Sequence, residues 1–104
     1  MNPQTTDEQL LLSFAAILKE VLRIDPAKIR PELRLFDDLG AESLDLLDIR
    51  FRIERMWGFK IAQDEIIQTL GRSITAAEIR EKLTVRSIMD FIKSRLLSKE
   101  MHHE

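Results

Sequence analysis

The side chains available for chemistry in this sequence are carboxylates, lysines and serine or threonine hydroxyls, because the stronger reagents are missing. There is no cysteine, which excludes disulfides, thiolate nucleophiles and cysteine metal sites. There is no tyrosine either. The only histidines, His102 and His103, lie among the last three residues, where chain ends usually fray. That is a poor place for a general base. The hydroxyls therefore have no obvious activating partner, and the chain is not expected to be an enzyme. The acid pairs Asp37-Asp38 and Asp45 with Asp48 would attract a divalent cation only weakly, since no oxygen-rich loop of defined spacing surrounds them. The three glycines, Gly40, Gly58 and Gly71, are too scattered for a phosphate-cradling loop.

At 104 residues the chain is expected to form one domain, residues 1–104, ordered over about 6–97 with a flexible tail at 98–104. One core fits in that length, not two. The formal charge is −2, and residues 43–104 hold one more base than acid. Neither half has the basic excess of a nucleic-acid binder. The start, Met1-Asn2-Pro3-Gln4, lacks a basic segment followed by an apolar run, so no signal peptide is expected. Apolar runs are only a few residues long, too short for a transmembrane segment. A monomeric, cytoplasmic domain is the expectation.

The elements that would position any site read as helices. Thr6 and Gln9 form a capping box ahead of a first helix, whose apolar face is Leu11, Phe14, Ala15, Leu18, Val21 and Leu22. It should stop near Arg23, because Asp25-Pro26 cannot continue it. Residues 25–42 then form a long connection with apolar anchors Ile29, Leu33, Leu35, Phe36 and Leu39, which predicts a loop packed on the domain. Ser43 stands at an N-cap position, with Asp45 in the first turn, for a second helix over about Leu44 to Met56 that stops at Gly58. Asp64 to Leu70 reads as a short helix closed by Gly71. Thr75 and Glu78 box a further one over 76–82, and Thr84 opens the last, with Val85, Ile88, Met89, Ile92 and Leu96 inward. Glu78, Glu81 and the basic residues around them read as a solvated face. No β-alternation of useful length is present. The fold class is all-α, a small bundle of three main helices with short helices in the loops.

The second helix carries two apolar stripes. At 100° per residue, Leu44, Leu47 and Phe51 share a sector of about 60°. Leu46, Ile49, Ile53, Met56 and Trp57 fill another of about 100°. Packing on a single core needs one stripe, so the other either meets a second neighbour or faces a partner. Trp57 beside Gly58 reads as a core residue at the helix end.

The residues before and within this helix, Phe36-Asp37-Asp38-Leu39-Gly40-Ala41-Glu42-Ser43-Leu44-Asp45, resemble the signature of the acyl carrier protein family, Asp-Leu-Gly-x-Asp-Ser-Leu-Asp. Trp57-Gly58-Phe59-Lys60-Ile61 resembles the segment that follows that helix, and Thr84-Val85, Ile88 and Phe91-Ile92 resemble the last helix, so the likeness covers about residues 6–97. It implies that Ser43 carries a covalent 4′-phosphopantetheine arm drawn from coenzyme A, on which acyl groups travel as thioesters. It also implies partner contacts at Glu42, Leu44, Asp45, Leu47, Asp48, Phe51 and Glu54. The partners would be a holo-carrier synthase (a phosphopantetheinyl transferase) and acyl ligases, synthases or acyltransferases. The absence of cysteine then makes sense, because the working thiol would arrive on the arm.

Three features depart from the family pattern. Glu42 replaces the usual aspartate before the serine. Arg50, Arg52 and Arg55 make the helix less acidic than in carriers of ordinary fatty acid synthesis. The stretch Ile66 to Arg80 is longer than the usual link to the last helix. The last two, with Ser43-Leu44-Asp45-Leu46-Leu47-Asp48-Ile49, resemble specialised bacterial carriers of very long or hydroxylated acyl chains for lipid A. A peptidyl or aminoacyl carrier, and a helical interaction module that lost the arm, are the alternative readings.

Overall fold

Thr6 accepts the N–H of Gln9 on its hydroxyl (3.1 Å) and donates its own N–H to the Gln9 side chain (3.3 Å). This reciprocal cap starts helix α1, Asp7–Leu22. Here and below, a computed structural model describes residues 6–101, with side chains to residue 98; His102 and His103 lie outside the described residues. Arg23 ends α1 in the left-handed conformation (φ 61°). Asp25 then caps a short 3-10 turn, Pro26–Lys28. The buried face of α1 is Leu10, Phe14, Ala15, Ile17 and Leu18, while Leu11, Val21 and Leu22 are only half-buried. The helix is rotated from the simple one-stripe expectation because it packs against two other helices at once.

The long connection is packed on the domain, as its apolar anchors require. Ile29 and Leu35 are buried, and Leu33, Phe36 and Leu39 lie against the same core. The backbone of this connection is pinned to the start of the last helix. Leu35 N–H donates to Leu83 O, Val85 N–H to Leu33 O and Arg86 N–H to Pro31 O (2.8–2.9 Å). The result is an isolated antiparallel bridge, Arg34 with Thr84; among the described residues the other regular elements are helices.

Helix α2, Ser43–Trp57, is terminated by Gly58 at φ 75°. The loop after it is clamped by α2 itself: Arg50 donates to Ile61 O (2.8 Å) and the Glu54 carboxylate accepts Ile61 N–H (2.7 Å). Helix α3 is a single turn, Glu65–Gln68, shorter than the 64–70 expected. The chain then turns through Gly71 (φ 146°) and Ser73 (φ 51°). Helix α4, Ala76–Lys82, has the boundaries and the Thr75–Glu78 box read from the sequence. None of its residues is fully buried. Helix α5, Val85–Met101, is capped by Thr84 and Ser87, each donating its N–H to the other's hydroxyl (2.9 and 3.1 Å). It runs three residues past Ser98, where the flexible tail was expected to begin.

The core is formed by α1, α2 and α5, with Phe14, Ile49, Ile53, Ile88 and Ile92 all inaccessible to solvent. Arg95 ties α5 to the α2–α3 loop. It stacks on Phe59 (4.7 Å), donates to Glu65 (2.7 Å) and donates to Lys60 O (2.7 Å). Two residues earlier on α5, Lys93 pairs with Asp7 of α1 (2.7 Å). Among the described residues no helix is long and apolar enough to cross a membrane.

Candidate functional site

Ser43 is the first residue of α2, not its cap; Glu42 takes the cap position. The shift is one residue, and it follows from Asp45, whose carboxylate accepts the Glu42 N–H (2.9 Å) and so fixes Glu42 as the last non-helical residue. Ser43 is exposed. The first backbone bond of the helix runs from Leu46 N–H to Glu42 O (3.0 Å). The amide groups of the preceding turn have no intrahelical partner and face the Ser43 end. They present partial positive charge there, which suits a phosphate ester.

The turn leading to Ser43 is rigid. Asp38 accepts the Arg34 backbone N–H (2.8 Å) and two guanidinium bonds (2.9 and 3.0 Å). The Arg34 side chain, and then its backbone N–H, hold the Asp38 carboxyl down to a pKa of about 2. Leu39, Gly40 and Ala41 donate back to Arg34, Phe36 and Leu35. Gly40 sits at φ 74°, which L side chains rarely adopt. Asp37 and Asp38 are thus both engaged by arginines, Asp37 by Arg34 (3.8 Å) and Arg80 (3.0 Å).

The two stripes of α2 separate as the periodicity implies. Ile49 and Ile53 are buried and Leu46 is half-buried, while Leu44, Leu47 and Phe51 are 77%, 40% and 46% exposed. Met56, assigned to the inner stripe, is instead exposed, and Trp57 packs at the edge of the core. The acidic residues differ in availability. Glu42 is exposed; Asp45 bonds the Glu42 N–H; Asp48 pairs with Arg52 (3.0 Å); the Glu54 carboxylate is turned onto Ile61 N–H.

An open groove of about 640 Å³ begins at Ser43. Phe36, Ala41 and Leu46 line one side, and Ile67, Ile79 and Arg80 the other. A second groove, about 680 Å³, is lined by residues from Asp64 to Ile74 and shares Ile67 with the first. Local sequence patterns do not reveal Arg80 as a residue of this groove. Its ion pair with Asp37 spans 43 residues, and on its own helix it looks like part of a solvated face.

A family model for the phosphopantetheine attachment site matches residues 13–71, a span that contains Ser43 and ends before α4. The chain belongs to this carrier family. It is 32% identical over 75 residues to acyl carrier protein 2 of Ralstonia nicotianae, covering 70% of this chain and 93% of that protein. It is 41% identical over 64 residues to the acyl carrier protein AcpXL of Rhizobium etli, covering 62% of this chain and 70% of the relative. It is 33% identical over 72 residues to the meromycolate extension acyl carrier protein of Mycobacterium leprae, covering 67% and 63%. The protein is therefore an acyl carrier, not a catalyst, and its prosthetic group is covalent 4′-phosphopantetheine. The site fits that group: an exposed hydroxyl at a helix N-terminus, with a groove of mixed lining beside it. Members of the family meet a phosphopantetheinyl transferase and acyl-handling enzymes.

Proposed function

We propose that Ser43 is the attachment residue and that this carrier serves specialised lipid synthesis, of lipid A-like or other unusual fatty acids. The observation that carries the first part is the exposed Ser43 hydroxyl at the first position of α2, delivered by the Arg34–Asp38 turn within the matched region. Bound there, the arm supplies a terminal thiol on which acyl groups are held as thioesters. The likeness to AcpXL and to meromycolate extension carriers supports the second part. So does the extra segment through α4, whose Ile67, Ile79 and Arg80 line the groove beside Ser43.

Partners dock along Leu44, Leu47 and Phe51, flanked by Glu42, Asp45 and Asp48, in this reading. Complementary charge on the partner would set register and speed encounter. Glu54, included among the expected contacts, acts on the fold through Ile61. The proposed setting is the cytoplasm, with the carrier as a monomer.

The test is intact mass after incubation with a phosphopantetheinyl transferase and coenzyme A. Native protein should gain the arm and Ser43→Ala should not. An equal gain in both would place the arm elsewhere.

A further inference from the structure

Attachment of a phosphodiester at Ser43 raises an electrostatic problem. The positive end of α2 already has two carboxylates beside it, those of Glu42 at the cap and Asp45 in the first turn. A phosphodiester adds a third negative charge within that turn, where like charges oppose one another. A nearby cation would offset that repulsion, beyond what the helix amides supply.

Most arginines near this end of the molecule are committed. Arg34 is held by Asp38 through three hydrogen bonds. Arg52 pairs with Asp48, and Arg50 donates to Ile61 O and lies over Phe51 (4.9 Å). Arg80 differs. Among the described residues lining the groove that begins at Ser43, it alone carries a positive charge. Its single ion-pair partner, Asp37, keeps Arg34 within 3.8 Å if Arg80 leaves. Its helix, α4, touches the core through the half-buried Ile79 and ends at the buried Leu83, so the exchange is one of side-chain rotation with the helix in place. Its side chain is 58% exposed and sits near the Phe36 ring (5.9 Å), on the wall of the groove.

Resting on the assignment of Ser43, we propose that Arg80 binds the phosphodiester of the arm, exchanging Asp37 for it when the carrier is modified. The planar guanidinium suits paired phosphate oxygens better than an ammonium does. The arm is thereby directed along the groove between α2 and α4 and not outward into solvent. Arg80 lies beyond the residues matched by the family model, 13–71.

The test is phosphorus NMR of the modified carrier, with modification verified by intact mass. The native resonance should be displaced from that of the same phosphodiester in the modified carrier unfolded in urea, and should move toward it as salt is added. In Arg80→Gln the displacement and the salt response should be lost, and Arg80→Lys should restore part of them. Asp37→Asn, which removes the competing carboxylate and leaves Arg80 in place, should enlarge the displacement. Identical spectra and salt responses in native, Arg80→Gln and Asp37→Asn proteins overturn the proposal and leave the Ser43 assignment standing. Absence of any mass gain in the native protein overturns both.

Discussion

Arg34 and Asp38 close the turn before Ser43 with both backbone and side chain, since the same carboxylate accepts the Arg34 amide and its guanidinium. The carboxyl is held at about 2 by these bonds. A depressed pKa in the folded state contributes stability above the unfolded value, near 4. That contribution is lost as pH falls through about 2. Asp38→Asn should therefore melt below the native protein at neutral pH. The gap should narrow between about pH 4 and 2. Thermal melts across that range check it, and a gap independent of pH would refute the assignment.

Gly40 is needed for its backbone angle, not for space. A Cβ there would meet nothing within 4 Å, yet φ is 74°. Gly40→Ala should cost about 1–2 kcal/mol from left-handed strain alone. Gly40→Asn should cost less, because Asn tolerates that region. Urea denaturation of the two variants measures the difference.

The opposed stripes of α2 should respond differently to truncation. Ile53 is inaccessible, so Ile53→Ala should destabilise by about 2–5 kcal/mol. Leu44 is 77% exposed, so Leu44→Ala should change stability by less than about 0.5 kcal/mol. The same variant should slow acyl transfer to partner enzymes. Equal stability with undiminished transfer would remove Leu44 from the docking surface.

Arg95 is a bolt between α5 and the loop after α2. Arg95→Lys keeps the charge but loses the ring stacking and the pair of directed bonds to Glu65 and Lys60 O. A loss of about 1–3 kcal/mol is expected. Hydrogen exchange should quicken in residues 59–68 before it does in α1. Uniform quickening would mean that Arg95 supports the whole fold and not this loop.

Acyl chains of increasing length probe the two grooves that share Ile67. If both sections accept the chain, thermal stabilisation should keep rising past medium lengths, at up to about 0.8 kcal/mol per buried methylene. A maximum at medium length would confine the chain to the section beside Ser43.

Most helix boundaries were readable because their caps are local. Thr6 with Gln9, Thr75 with Glu78 and Thr84 each act within one turn. The outward stripe on α2 followed from angle alone. What escaped was set by distant neighbours. The rotation of α1 depends on α2 and α5 together. The Glu54 carboxylate turns inward to an amide seven residues on. Arg80 enters the site through an aspartate 43 residues earlier. None of these is encoded in a spacing of three or four residues.

The bridge between Arg34 and Thr84 has a consequence for the order of events in the life of the chain. The loop that leads to Ser43 takes its backbone partners from residues 83–86, synthesised some fifty positions later. Until that part of the chain has emerged and docked, the serine stands in an unfinished turn. With Ser43 as the proposed attachment residue, a transferase that recognises the finished turn would tag completed molecules and pass over nascent ones. Chains released before Leu83 should accordingly be modified poorly, even though every residue of the signature is present in them.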